Sequence, residues 1–113
     1  MGGKTEVEFH VFINHDGRQL LGPRNIILLR EIVRSGSVRT AAMILHMSYQ
    51  HAWTIIDEMN QAAPHPVVVK QRGGIGGGGA VLTEYGQRIL KEFHIIEAEV
   101  TRFQKRLNTE LNL

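Results

Sequence analysis

Hydrogen-bonding side chains crowd one short stretch of this sequence: Ser48, Tyr49, Gln50, His51 and Thr54, preceded by Arg39 and Thr40 and followed by Lys70 and Arg72. Hydroxyls, a carboxamide and an imidazole can exchange hydrogen bonds with base edges, while guanidinium and ammonium groups pair with phosphate. No acid lies between Glu31 and Asp57 or between Glu58 and Glu84. These groups therefore have no neighbouring carboxylate in sequence that would repel a phosphate backbone. The 113-residue chain carries a net charge of only +2, so bulk charge is a weak guide to polyanions. The distribution says more, since Leu20 to Ala80 holds six cations against three acids and the remainder seven against eight. A mildly basic surface with no partner would give the same totals, and charge alone leaves both readings open.

Other chemistries fit less well. The chain has no cysteine, which excludes disulfides, zinc–thiolate sites and thiol catalysis. His46 and His51 stand five apart, off a single helical turn, and lack a third ligand, so no metal is expected. Paired carboxylates at a pocket and a serine–histidine–acid set are both missing, so the chain is read as a non-enzyme without a cofactor. Gly74-x-Gly76-x-x-Gly79 matches a dinucleotide fingerprint in form. Any glycine run contains that match, and a nucleotide site would also need a following acidic strand and a second βαβ unit.

The hydrogen-bonding groups need elements that expose them together, and the hydrophobic pattern supplies these. Val7, Phe9, Val11 and Ile13 alternate with Glu6, Glu8, His10 and Phe12, which predicts a strand over 5–15. Asp16-Gly17-Arg18 is a turn signal. Helical periodicity begins after Pro23, a residue suited to a first turn, with Ile26, Leu29, Ile32 and Val33 on one face and Ile27 and Leu28 broadening it. Gly36 ends that helix, and Ser37 caps a short second one from Val38 to about Leu45 that buries Ala41, Ala42 and Leu45. His46-Met47 makes a tight connection to Ser48, the cap of a third helix running to about Ala63. Ala52, Trp53, Ile56, Met59 and Ala63 fall on its core side, and Pro64 and Pro66 stop it. Two serine-capped helices joined this tightly, over 36–63, form a helix-turn-helix pattern.

Val67–Arg72 and Ala80–Leu82 read as strands around the run Gly73–Gly79, a hairpin or wing over 67–82. Gly74, Gly76 and Gly77 would leave backbone N–H groups bare against a sugar-phosphate chain, with Lys70 and Arg72 at the base of the wing. Thr83 caps a last helix over 83–113, where Tyr85, Ile89, Phe93, Ile96, Val100, Phe103, Leu107 and Leu111 recur every three or four residues. At about 1.5 Å per residue it would reach roughly 45 Å, more than so small a domain covers. Ile89, Phe93, Ile96, Val100, Phe103 and Leu107 are therefore expected to meet a second copy. Two recognition helices about 34 Å apart would then read a palindromic duplex site.

The fold expected is mainly α with a small β-hairpin wing, a winged helix-turn-helix with a long C-terminal dimerisation helix, forming a single domain over 1–113. At 42% apolar the chain can build a core, and it contains no run approaching the roughly 18 apolar residues of a membrane span. Met1-Gly2-Gly3-Lys4 lacks the apolar stretch of a secretory signal, and a cytoplasmic place fits.

Leu21-Gly22-Pro23-Arg24, Ser35-Gly36-Ser37, Met47-Ser48-Tyr49 through Ala52-Trp53, Asp57-Glu58-Met59-Asn60, and Gly73 through Ala80-Val81-Leu82-Thr83 to Gly86 resemble the N-terminal domain of ModE-type molybdate-responsive transcription regulators. The looser frame is similar to that of LysR-type regulators: a Gly-Ser turn, paired alanines, a recognition helix and Leu-Thr-x-x-Gly after the wing. The resemblance covers nearly the whole chain and implies a homodimeric, bacterial-type DNA-binding domain whose first and last helices pair. The family wing carries a lysine where this chain has Ile75. Full-length members continue into an oxyanion-binding domain. With the chain ending at Leu113, neither that domain nor molybdate sensing by this chain alone is expected. The leading expectation is a sequence-specific double-stranded DNA-binding regulator. The alternative is a winged-helix interaction module that does not bind DNA.

Overall fold

The computed structural model describes residues 2–71 and 79–111; the expectations for Arg72, Gly74, Ile75, Gly76 and Gly77 lie outside them. Asp16 and Gly17 both adopt left-handed backbone, with φ of 48° and 78°. That pair suits a tight hairpin turn, because the mirror-image turn matches the twist of its strands. The turn joins β1 (Ile13–His15) to β2 (Arg18–Leu21).

The strand expected over 5–15 is thus confined to Ile13–His15. Upstream, side-chain amides of the last helix take the place of a partner strand. The Val7 N–H donates to Asn108 Oδ1 at 2.6 Å, and Asn108 Nδ2 donates to the Val7 carbonyl at 3.1 Å. The Phe9 N–H donates to Gln104 Oε1 at 3.0 Å, and the Phe9 ring meets Phe103 at 5.6 Å. Period-two alternation turned one face of this arm toward apolar surface, and that surface is a helix rather than a sheet.

Helix α1 (Pro23–Ser35) starts on Gly22, whose N–H donates to the buried Asn25 Oδ1 at 2.6 Å, and ends at Gly36, φ 73°. It buries Ile26, Leu28, Leu29 and Ile32, whereas Ile27 and Val33, expected inside, are 49% and 56% exposed. Helix α2 (Val38–Ile44) is capped by Ser37 and packs Val38, Ala41 and Ala42 inward. The turn to α3 (Tyr49–Ala62) passes through His46 at φ 56°. On α3 the inner places go to Ala52, Ile55, Ile56, Met59 and Ala62, while Trp53 and Ala63 are half-buried at the edge of the core.

The wing strands β3 (Val68–Gln71) and β4 (Gly79–Leu82) pair antiparallel, Val68 opposite Leu82 and Gln71 opposite Gly79. Asn60, near the end of α3, holds the wing in place. Its Oδ1 accepts from the N–H groups of Val67 and Val68 at 2.7 and 3.2 Å, and its Nδ2 donates to the Val68 carbonyl at 3.0 Å. A bridge between Ser37 and Gly79 sets β4 beside the cap of α2.

Thr83 caps α4 (Glu84–Glu110), its Oγ1 accepting from the Gly86 N–H at 2.9 Å. The helix is about 40 Å long at 1.5 Å per residue, in a molecule of 56 × 34 × 20 Å. Of the side chains expected on its dimerisation stripe, Phe93 is only 2% exposed and belongs to the core of its own chain. The helix crosses the domain there, so the residue is consumed by internal packing. Ile89, Val100 and Leu107 are half-buried, and Ile96 and Phe103 are exposed. The whole is a winged helix-turn-helix with a long C-terminal helix. Among the described residues no helix is long and apolar enough to cross a membrane.

Candidate nucleic-acid interface

The first two turns of α3 carry the exposed hydrogen-bonding groups. With 3.6 residues per turn, Ala52, Ile55, Ile56 and Met59 point inward, so Gln50 and Thr54 share the outward face. Tyr49 and Trp53 flank that face on one side and His51 on the other. Several hydroxyls serve the local backbone. Ser48 Oγ accepts from the His51 N–H at 3.0 Å, and Thr54 Oγ1 donates to the Gln50 carbonyl at 3.0 Å. Thr40 is half-buried, its N–H donating to Ser37 Oγ at 3.1 Å. The Gln50 carboxamide has no hydrogen-bond partner among the described residues and is free to bind elsewhere.

Three cations from three different elements lean on the first two turns of α3, while Arg18 of β2 reaches its far end at the Gln61 carbonyl. From α2, the Arg39 guanidinium lies 4.4 Å from the Tyr49 ring centroid. From β3, Lys70 Nζ lies 4.9 Å from that of Trp53. From α1, Arg24 Nη2 lies 2.6 Å from His51 Nε2. Tyr49 and Trp53 are themselves in edge contact, with centroids 6.5 Å apart. An aromatic face or a neutral imidazole orients a cation without cancelling its charge, unlike a carboxylate. Arg30, Arg34 and Arg102 are instead paired with Glu97, Glu31 and Glu99 at 2.7, 2.8 and 3.1 Å. Among the described residues, Arg24, Arg39 and Lys70 make no ion pair. Positive charge thus remains uncompensated on both flanks of the Gln50–Thr54 face. The acids of α3, Asp57 and Glu58, come only afterwards, toward the far end of the helix.

The fold therefore gathers Arg39, Thr40, Ser48, Tyr49, Gln50, His51, Thr54 and Lys70 around the start of α3. Arg72, Gly74, Gly76 and Gly77 lie outside the described residues. His46 is exposed in the interhelix turn and His51 is engaged with Arg24. Sequence reasoning missed two residues. Arg24 is 27 positions from His51, no spacing rule links the two, and it lies outside both acid-free intervals. Asn60 makes no hydrogen bond to these side chains among the described residues, but it holds β3.

No protein-family model matches the chain. The chain is similar to the "Molybdenum transport protein ModE" of Azotobacter vinelandii, 44% identical over 92 residues, which are 81% of this chain and 34% of that protein. It is 47% identical over 74 residues to the "DNA-binding transcriptional dual regulator ModE" of Escherichia coli K12, covering 66% of this chain and 28% of that one. The "Molybdenum-pterin-binding protein MopB" of Rhodobacter capsulatus is 38% identical over 93 residues, 82% of this chain and 34% of that protein. The chain spans about a third of the length of these relatives.

Proposed function

We infer, for a chain that belongs with the ModE-type transcriptional regulators over 81% of its length, that it binds a specific site on duplex DNA as a homodimer and thereby regulates transcription. The observation that carries this reading is the outward face of α3, where Gln50 stands between flanks of cations that make no ion pair among the described residues. An α-helix fits the major groove, and a glutamine there can bond adenine N6 and N7 together. Arg39 and Lys70 would meet phosphates on one side, and Arg72 with Gly74, Gly76 and Gly77 would extend that contact along the wing. Thr40 and Ser48 would add hydroxyl contacts at the start of the helices.

Self-association is supported by the apolar surface that α1 and α4 leave open. Val33 and Ile95, 56% and 52% exposed, line a groove with Leu90 and Leu82 between the two helices. Farther along α4, Ile96 and Phe103 are 37% and 43% exposed. A twofold axis on this side would pair the recognition helices for a palindromic site. For this chain the reading is confined to DNA recognition and self-association.

The test is selection of duplexes from a random pool by the purified chain, followed by fluorescence anisotropy and sedimentation. The reading expects enrichment of a symmetric motif and a dimer on one duplex. Failure to bind any duplex at 50 mM salt, by a chain that is folded, would sink it in favour of a protein-interaction module.

A further inference from the structure

We propose that Arg24, from the helix that precedes the helix-turn-helix, is a DNA-phosphate contact, and that His51 is its positioning residue. The inference rests on the DNA-binding reading and extends its surface to α1.

Arginine has no acceptor, so the 2.6 Å contact is a donation from Arg24 Nη2 to His51 Nε2. The contact has two consequences. It leaves Arg24 four further N–H donors and its whole charge, and it leaves His51 one N–H donor. Glu58 lines the same shallow groove as Arg24, together with Gln19 and Asn25, yet the guanidinium is held by the imidazole and not by that carboxylate. Arg24 is exposed and sits in the first turn of α1, so its backbone is anchored while its guanidinium, held at one nitrogen, still faces solvent.

The position explains why such a contact would matter. Arg39 and Lys70 both stand on the Tyr49–Trp53 flank of α3. His51 is on the opposite flank, and Arg24 is the cation held there. A helix in the major groove runs between two phosphate backbones. With Arg24 the cations beside the start of α3 straddle the Gln50–Thr54 face, whereas Arg39 and Lys70 by themselves lie to one side.

The measurement is anisotropy on a selected duplex and a random-sequence duplex across a salt series, with circular dichroism to show that each variant is folded. Arg24→Ala should weaken both duplexes by the same factor. It should lower the slope of log K against log salt by about 0.9 for each Arg24 in the bound species. It should cost less in a His51→Ala background than in the wild type, and His51→Gln, which keeps an acceptor at the same reach, should restore the full cost. An unchanged slope with Arg24→Ala, while Arg39→Ala lowers it, overturns the inference and leaves the DNA-binding reading standing. Loss on the selected duplex alone would make Arg24 a base reader and also overturn it. Full additivity with His51→Ala would remove the positioning role. A wild-type chain that binds neither duplex fails the underlying reading itself.

Discussion

Gln50 and Lys70 sit on the same surface, yet they should behave differently when removed. The Gln50 carboxamide is directional and lies at the middle of the exposed face of α3, so its proposed task is to distinguish bases. Gln50→Ala should cost about 1–3 kcal/mol on a selected duplex, a typical bidentate contribution, and leave a random duplex nearly unaffected. Lys70 is a point charge steadied on the Trp53 ring. Lys70→Ala should weaken both duplexes alike and lower the salt slope by about one per contact. Equal effects of the two substitutions on both duplexes, read by anisotropy, would contradict this division. Trp53 shows how one residue can face two ways: its half-buried ring packs against the core, and its face supports Lys70. Its core side was legible in the helical spacing. The cation on it was not, because Lys70 arrives from a strand 17 residues later.

At the scale of elements, the wing has its place because of a few backbone contacts. Asn60 bonds Val67 and Val68 through both of its amide atoms. Asn60→Ala leaves those backbone groups without partners and should destabilise the fold by about 1–3 kcal/mol. It should also weaken DNA binding, because Lys70 is carried on the strand that Asn60 holds. Two glycines separate strain from crowding. At Gly36, φ is 73° and a Cβ would meet nothing within 4 Å. Gly36→Ala therefore costs only the left-handed backbone, about 1–2 kcal/mol. At Gly86 a Cβ would run into the Val67 carbonyl oxygen, so α4 and the residue leading into β3 would have to separate. Gly86→Ala should be the more damaging of the two in denaturant titrations followed by circular dichroism. The reverse order would mean that α4 does not press on Val67.

For the molecule as a whole, the proposed assembly depends on α4. Phe93 is spent on the chain's own core, and the Phe9 arm lies on Phe103, so the apolar surface left for a partner centres on Val33, Leu90 and Ile95. Ile95→Lys places a charge in that groove without disturbing a buried residue. It should shift the proposed dimer to monomer in sedimentation at micromolar concentration. It should also weaken binding to a palindromic duplex by more than binding to a half-site. A variant that stays dimeric would move the interface elsewhere on α4.

Local chemistry determined much of this protein before any packing is considered. Pro23, Ser37, Ser48 and Thr83 mark helix starts, Gly36 marks a stop, and the apolar period identifies the helices and the hairpin, because caps and periodicity are properties of neighbouring residues. It also exposed the acid-poor intervals that hold most of the proposed interface. Only the tertiary structure decided which groups meet across the chain. Arg24 reaches His51, Asn60 holds β3, Phe93 is enclosed, and residues 5–12 lie on a helix instead of joining a sheet. A period-two pattern specifies which face of a segment seeks apolar surface, but not what supplies that surface. A helical stripe likewise does not say whether its partner is the same chain or another. Those choices depend on contacts between residues far apart in sequence, which only the packed core brings into register.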